Sequence, residues 1–555
     1  MVKKTYILLF FIALSFSGFS QVVYEHISNK SIYNFLDELA NNKIIDINSA
    51  IKPYSRQFIV QKLLDAKSHE KKLNLRQKNE LLFYLQGYQI EQPEALHLPA
   101  KSNLFKNKRW ATAINPVGIY YKDSMFSFAL KPILGYAYYT NKNGSYHHSY
   151  GGLEFSSYLG KHLAFYTSLR DNTLTKNVIQ PDFFVTEQAA PVKVFAKDDI
   201  EFSEARGGIT YSWKWGSLGL IKDNIQWGYG YGQANILSGR TPSYAMIKFN
   251  LHPVEWFEFN YFHGWLVSDV VDSTKSYWEG NSYRAVLRPK FIAANMFTFR
   301  PFRGFYFSVG NSIVYSDINV HAAYLIPFLF YKSVDHTLNA TYHYGDAGQN
   351  SQMFFNISSR NIKHLHLYGT LFVDEISLRN IFKKETQRNQ ISIKGGFRLS
   401  DFPLQNIWLG MEYTRNNPLV YQNYLKAVKF ESNSYSLGHY MRDNSDVTNI
   451  SFGYRPLRGL LLELSYTSAR HGTDFNYREL QDAGNSSGLP FMEEVMWQEK
   501  MLLFSIKYEV VNNAWFYINY RYSNITGDQT YLEKYSPDYY YGKTNTFTFG
   551  ANIGF

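Results

Sequence analysis

Apolar and polar residues alternate along most of the chain, from near Met125 to the last residue. In the first such stretch the apolar positions are Phe126, Phe128, Leu130, Leu134, Tyr136 and Tyr138. Successive side chains of a β-strand point to opposite faces, so this pattern predicts strands with one apolar and one polar face. The apolar face would cover the core of a soluble sandwich, or face lipid on the outside of a membrane barrel.

A helical period precedes the strands, from Ser31 to about Gly87. Its first apolar stripe consists of Ile32, Phe35, Leu36 and Leu39. Ser55 is placed to cap a second helix, and Asn74 with Gln77 resembles a capping box before a third. We therefore expect a three-helix domain with a polar linker over residues 21–107, and a barrel over residues 108–555.

Residues 1–20 have the pattern of a secretion signal. Lys3 and Lys4 form a positive start, an apolar stretch runs from Tyr6 to Leu14, and small residues precede a cut at Gln21. The apolar run is shorter than the roughly 20 residues of a spanning helix. We predict a signal peptide and export.

The C-terminal residues favour the membrane barrel over the sandwich. Phe547, Phe549, Ala551 and Ile553 alternate with small or polar residues, and the chain ends on Phe555. This pattern is typical of the last strand of bacterial outer-membrane proteins. A soluble domain has no reason to end its last strand on an exposed aromatic residue.

Short and long gaps between the predicted strands alternate, which is the barrel arrangement of tight turns at one end and long loops at the other. The short gaps include Val511 to Ala514, Arg455 to Gly459 and His252 to Val254. Nine long polar gaps fall at about 140–149, 171–205, 222–242, 266–281, 316–350, 376–388, 415–446, 469–499 and 524–543. They predict eighteen strands. Trp110 to Tyr121 also looks extended, and we assign it to the connection before the barrel.

Composition supports a surface role. Aromatic residues make up 18% of the chain, more than an ordinary soluble core needs, and amphipathic rings suit membrane interfaces and glycan-binding or protein-binding surfaces. The chain has no cysteine, which excludes disulfides, thiolate metal sites and thiol nucleophiles. The net charge of +11 is not concentrated in a basic run, so nucleic acid is not an expected partner.

Several stretches resemble the Wzi-like capsule assembly family of outer-membrane proteins, in the form found in gliding and capsulated Bacteroidetes. They begin with the predicted helix at Phe35–Leu36, followed by Ile51 to Arg56 (IKPYSR) and Leu63–Leu64, and continue with Asn224 to Gly232 (NIQWGYGYG). Others follow in order: Tyr324 to Tyr331 (YLIPFLFY), Leu367 to Ile376 (LYGTLFVDEI), Glu412 to Tyr421 (EYTRNNPLVY), and Leu437 to His439 with Asn444 to Asp446.

The resemblance implies an eighteen-stranded outer-membrane barrel that binds or helps assemble capsular polysaccharide, with surface loops and a periplasmic N-terminal domain. Its expected partners are outer-membrane lipid, surface polysaccharide and export or motility machinery. The RemB-type branch of the family is tied to gliding motility. A motility or secretion component whose loops bind protein is therefore the alternative, and an oligosaccharide transporter is a third.

Glycans are bound by aromatic faces and by fixed polar groups, and the predicted loops carry both. Rings packed within the loops or in an interfacial girdle would explain the same residues. The candidate polysaccharide-binding residues are Trp227, Tyr229, Tyr231, Arg415, Asn417, Tyr421, His439, Asp446, Tyr531, Tyr535, Tyr539 and Tyr540.

Catalysis is not expected, and neither a metal nor a cofactor is predicted. His147, His148 and Ser149 could suggest a nucleophile with a base, but adjacent strand residues point apart. His364 and His366 would share a strand face, yet no carboxylate follows before Asp374. Charges of both signs at lumenal positions such as Lys131, Glu412 and Arg521 favour a lumen closed by ion pairs over an ion-selective pore.

Overall fold

The computed structural model describes residues 21–92, 96, 110–190, 194–196, 199–339, 348–377, 383 and 389–555. The predicted signal peptide lies outside these residues. Eighteen antiparallel strands form one closed barrel, as the sequence predicts. They are β1 (Phe126–Asn141), β2 (Gly144–Leu159), β3 (Leu163–Leu174), β4 (Asp199–Trp213), β5 (Gly216–Asp223), β6 (Tyr244–Val254), β7 (Phe257–Leu266), β8 (Lys290–Phe302), β9 (Phe305–Ser316), β10 (Asn350–Ser359), β11 (Leu365–Ile376), β12 (Asn389–Ser400), β13 (Ile407–Asn416), β14 (Ser445–Tyr454), β15 (Leu460–His471), β16 (Trp497–Val511), β17 (Ala514–Gly527) and β18 (Gly542–Ile553).

The barrel closes between its last and first strands. β18 pairs antiparallel with the second half of β1, with Phe547 opposite Thr140 and Ile553 opposite Leu134. The apolar positions of the alternating pattern point outward and stay exposed, whereas the polar positions line the lumen. Exposed outward side chains include Leu134, Leu153, Leu220, Ile357, Leu367, Ile393, Ile450, Phe504, Phe516, Ile518, Phe547 and Phe549. A continuous apolar outer surface on a closed sheet is what lipid requires.

One end of the barrel carries short turns and the other carries most of the long loops. The gap predicted at residues 140–149 is wrong, because β1 and β2 continue through it and are joined by Lys142 and Asn143 alone. The turn expected at His252 to Val254 lies at Glu255 and Trp256 instead. We call the two ends the short-turn end and the long-loop end.

The segment before the barrel is a hairpin. Trp110–Ile114 pairs with Val117–Lys122, and Ile119 to Lys122 then pair with β1 at residues 127–130. The hairpin therefore pairs with β1 near the short-turn end, at residues 127–130. β18 pairs with β1 closer to the long-loop end, at residues 134–140. The hairpin adds strands to the sheet without adding to the closed circle of eighteen.

Three helices precede the barrel: α1 (Lys30–Asn41), α2 (Arg56–Ser68) and α3 (Leu75–Gly87). Both predicted caps are present, since Ser55 accepts a hydrogen bond from the Phe58 N–H and Asn74 with Gln77 forms a capping box. Apolar side chains of all three helices share one core. The long loops contain α4 (Tyr331–Asn339), α5 (Tyr477–Asp482) and α6 (Gln529–Tyr535). No helix in the described part of the chain has the length and apolar character to span a bilayer.

Candidate functional site

The three N-terminal helices are fixed to the short-turn end of the barrel by buried ion pairs. Arg360, in the turn between β10 and β11, contacts Asp37 of α1 at 2.5 Å and donates from Nε to the Asn41 side chain at 2.8 Å. Arg455, in the turn between β14 and β15, contacts Glu38 at 2.7 Å. Burial disfavours the charged form of Glu38, but Arg76 and Arg455 outweigh it and lower its pKa. The helices therefore fill the short-turn mouth.

A second segment fills the lumen from the opposite end. The loop between β5 and β6 turns inward, and Gln226–Trp227 pairs antiparallel with Ile51–Lys52. The Gly228 N–H donates to the Ala50 carbonyl at 2.8 Å, and the Tyr229 hydroxyl donates to Asn48 at 3.0 Å. We call residues 224–243 the lumenal plug. It joins the N-terminal domain inside the barrel.

The glycines of the lumenal plug permit its sharp fold. Gly228 has a φ of +104°, a conformation that other residues rarely adopt. At Gly230 an added Cβ would lie 2.5 Å from Lys394 Nζ. The next two backbone N–H groups, of Tyr231 and Gly232, donate to the two carboxylate oxygens of Glu412 on β13 at 2.7 and 3.0 Å. Lys394 also pairs with Glu412, at 3.3 Å, so the charges here are internally balanced.

Trp227 and Tyr229 of the lumenal plug are covered by protein, and Tyr231 is partly buried. Trp227 is 1% exposed, and its ring packs edge-on against Phe262 and Phe354. The Tyr231 hydroxyl hydrogen-bonds to His366 Nδ1 at 2.8 Å. The Arg398 guanidinium lies 4.2 Å from the Tyr231 ring centre. These rings pack the plug against the barrel wall.

Two further candidates lie in the loop between β13 and β14. Tyr421 is buried, donates to the Asn235 carbonyl at 2.6 Å and packs on Phe372. His439 is buried beside Asn416, with the two side chains 3.2 Å apart. Burial lowers the pKa of His439 well below its usual value, which keeps the ring neutral. Both residues hold this loop against the lumenal plug and the wall.

Arg415 and Asp446 lie elsewhere, on the outward face of the wall near the long-loop end. Arg415 stacks on Phe491, with 3.7 Å between the guanidinium carbon and the ring centre, and donates to Asn417 at 2.9 Å. Asp446 pairs with Arg470 of the neighbouring strand at 2.5 Å. The structure therefore does not bring these residues together with the lumenal candidates.

The tyrosines of the last loop belong to a cluster at the long-loop mouth, formed by residues 175–190, 472–496 and 528–541, which we call the loop cap. The Tyr535 ring stacks on Phe184 at 4.2 Å, and its hydroxyl donates to Asp474 at 2.7 Å. Tyr539 and Tyr540 are buried against Tyr146. Tyr531 stays partly exposed, and its hydroxyl accepts a hydrogen bond from the Asp474 N–H at 2.8 Å.

Sequence reasoning missed the most exposed aromatic group of the loops. Tyr277–Glu279 and Ser282–Arg284 form a small hairpin in the loop between β7 and β8. Trp278 and Tyr283 face each other across it with ring centres 5.2 Å apart, and Trp278 is 68% exposed. The dipeptide Gly280–Asn281, which lies between Tyr277–Trp278 and Tyr283, was the available signal, because such a dipeptide favours a two-residue turn.

The histidines considered for catalysis are dispersed. His147 points outward and stacks on Tyr136, whereas His148 points into the lumen and lies 3.1 Å from the Asn172 side chain. His364 lies in a turn, where it contacts Asn42, and only His366 lies on the strand. Among the described residues, no group of three or more acidic or histidine side chains is arranged to hold a metal ion.

The fold is similar to that of Wzi from Escherichia coli, described as an outer-membrane protein involved in group 1 capsule assembly and a carbohydrate-binding β-barrel. The TM-score is 0.58 at 11% identity, over 97% of this chain and 100% of that one. OccAB2 of Acinetobacter baumannii gives 0.42 at 9% identity, over 78% and 99% of the two chains. OprD of Pseudomonas aeruginosa gives 0.41 at 9%, over 77% and 94%. No protein-family model and no curated sequence matches the chain. The chain thus has a Wzi-like barrel fold.

Proposed function

We propose that this protein is a non-enzymatic outer-membrane barrel that binds surface polysaccharide, or helps to assemble it, through its long-loop end. The observation that carries the proposal is the backbone pairing of Ile51–Lys52 with Gln226–Trp227 inside the barrel. Two segments that enter from opposite ends meet there. A lumen occupied in this way supports binding at the outer face over passage of solutes.

The long-loop end offers chemistry suited to sugars. The Trp278 and Tyr283 rings are open to solvent on a two-stranded hairpin, and Arg284 is exposed beside them. Aromatic faces bind the apolar faces of sugar rings, and an arginine pairs with acidic substituents. Of the candidates predicted from sequence, Tyr531 is the one on the loop cap with an accessible edge. The buried tyrosines of the loop cap and lumenal plug would hold this surface in shape.

Orientation and location follow from the same proposal. The long-loop end faces the cell exterior, and the short-turn end with its three helices faces the periplasm. The sequence resemblance to the Bacteroidetes form favours a capsule role, with the RemB-type motility role as the alternative. A deletion strain separates the two: loss of capsule staining supports the first, and normal capsule with lost colony spreading supports the second.

Binding tests the proposal directly. Purified protein in nanodiscs should bind polysaccharide isolated from the producing cells, measured by biolayer interferometry. The double variant Trp278→Ala with Tyr283→Ala should raise Kd about thirtyfold, since each of the two stacked rings contributes on the order of 1 kcal/mol. Trp256→Ala is the matched control, because Trp256 is also exposed but lies in a short turn at the other end. No binding by the unmodified protein, or equal binding by both variants, would count against the proposed surface.

A further inference from the structure

A polar patch lies on the outward face of the barrel wall, where lipid-facing residues are expected. Asn295 of β8 and Asn311 of β9 are opposite each other in the register, and Tyr261 of β7 is opposite Asn295. Their outward direction is fixed by the alternation, because Ala294 and Met296 on either side of Asn295 belong to the lumenal core. Amide side chains at such positions are costly in hydrocarbon unless they are hydrogen-bonded.

A loop segment covers this patch from outside. Residues 322–339, which we call the strap, leave the long-loop end after β9 and run back down the outer wall. Asn295 donates to the carbonyls of Pro327 and Leu329, both at 2.9 Å. Asn311 accepts from the Tyr331 N–H at 2.9 Å. The side-chain amides of both asparagines therefore have hydrogen-bond partners within the protein.

The rest of the strap's inner side packs on apolar wall residues. The Tyr324 ring lies 4.6 Å from that of Tyr315, and the Tyr261 hydroxyl donates to the Tyr324 carbonyl at 2.9 Å. Tyr324 and Tyr331 are fully buried in this contact. The strap is therefore docked on the wall by both polar and apolar contacts.

The outer side of the strap is apolar. Ile326 is 48% exposed, Phe328 54% and Phe330 47%, and Leu325 and Leu338 are exposed near them. A water-exposed loop with this many neighbouring apolar side chains would be unfavourable, since soluble surfaces rarely carry such patches. The same side chains are apolar, as are most outward residues of the barrel strands.

The depth of the strap agrees with a lipid environment. The Phe328 ring stacks on Phe259 of β7, with ring centres 4.5 Å apart. Phe259 is the third residue of that strand from the short-turn end. With a rise of about 3.3 Å per residue and a tilt near 40°, it lies roughly 18 Å below the strand's long-loop end. Phe328 is therefore well below the level at which the loops leave the barrel.

We propose that the strap is an intramembrane element whose outer side, formed by Ile326, Phe328 and Phe330, contacts the acyl chains of the surrounding bilayer. The sequence places these residues in a polar loop between two strands, and the structure places them on the lipid-facing wall. The polar patch then has a role: it docks a lipid-covered segment against the barrel.

The absence of cysteine allows a direct test. Single variants Phe328→Cys, Phe330→Cys and Ile326→Cys are labelled with a thiol-reactive fluorophore in nanodiscs. Quenching is measured with nitroxide-bearing acyl chains and, separately, with a water-soluble nickel chelate. Ile393→Cys, on the outward wall, is the lipid control, and Trp278→Cys is the aqueous control. Circular dichroism confirms that each variant is folded.

The strap positions should match Ile393→Cys within about twofold in both quenching measurements. Agreement with Trp278→Cys would overturn the proposal, because it would place the strap in water. Protection from both quenchers would also overturn it, since a second protein surface rather than lipid would then cover the strap. Because three strap positions are available, a single variant that fails to fold leaves the test intact.

Discussion

The backbones of Ile51 and Trp227 pair antiparallel inside the barrel, although 175 residues separate them in sequence and they enter from opposite ends. One belongs to the N-terminal helical domain and the other to the lumenal plug. Among the residues that the structure describes, the one further bridge of these two short strands is that of Trp227 to Leu237. The pair thus joins the two ends of the molecule.

Truncation of the buried indole should loosen this junction. Trp227→Ala removes a large buried ring packed on Phe262 and Phe354, so we expect a loss of about 3–5 kcal/mol in local stability. Hydrogen exchange of residues 226–237 should accelerate while exchange of the barrel strands changes little. Trp256→Ala is the control and should leave both unchanged, because its side chain is exposed.

Much of this fold is predictable because barrel strands carry a local signal. The outward positions of Phe516, Ile518, Phe547 and Phe549 follow from two-residue alternation alone. The signal fades where strands extend beyond the apolar band. Around Lys142 both faces of β1 and β2 are polar or mixed, and a tight hairpin is then indistinguishable from a loop.

The positions of the candidate residues could not be predicted in the same way. Tyr229 and Tyr231 have the composition of a binding loop, but their burial depends on Asn48 and His366, which are distant in sequence. Arg415 belongs to a sequence motif that suggested a loop, yet it lies at the end of β13 on the outward face of the barrel wall. Asn295 and Asn311 point outward and interrupt the apolar pattern of their strands. Only the fold shows that the strap provides their hydrogen-bond partners.

Removal of one partner from the Arg360–Asp37 pair should destabilise the docked helices strongly. Both side chains are 3% exposed, so Asp37→Ala leaves a buried guanidinium without its counter-charge, at a cost of about 3–5 kcal/mol. Denaturant unfolding, followed by the fluorescence of a reporter on α1, measures the change. The exposed Arg288–Asp317 pair at 2.9 Å is the matched control, and Asp317→Ala should cost less than about 1 kcal/mol. Equal effects at the two pairs would contradict the docking described here.

The loop cap should loosen in acid. Burial alone would raise the pKa of Asp474, but hydrogen bonds from His471, Lys534 and Tyr535 outweigh it and lower that pKa below its usual value. A depressed carboxyl pKa gives stability that is complete above the unfolded pKa of about 3.9 and is lost as pH falls toward the folded pKa. Hydrogen exchange of residues 528–541 should therefore be constant from pH 7 to 5, after correction for intrinsic rates, and increase below pH 4.

Asp474→Asn separates this effect from general acid unfolding. In this variant, hydrogen exchange of residues 528–541 should already be faster at pH 7. The further acceleration below pH 4 that the unmodified protein shows should be mostly absent. Asp482→Asn is the control, because Asp482 is an exposed acid in the same long loop and pairs with the neighbouring Arg478 at 2.9 Å. If the unmodified protein and Asp474→Asn show the same pH profile, Asp474 does not hold the loop cap.

Opposite ends of the barrel should differ in accessibility on intact cells. A membrane-impermeant maleimide should label Trp278→Cys at the long-loop end and leave Leu75→Cys unlabelled, although Leu75 is exposed on α3. Labelling of both after outer-membrane permeabilisation shows that each thiol is reactive. Reversed labelling would invert the proposed orientation.

Conductance in planar lipid bilayers measures whether the two segments that meet at Ile51 and Trp227 close the lumen. Inserted wild-type protein should show no steady ohmic current across ±100 mV, whereas a variant lacking residues 224–239 should open stable pores. A steady wild-type pore of the same size as that variant's would show that these segments do not close the lumen, and would indicate a transporter.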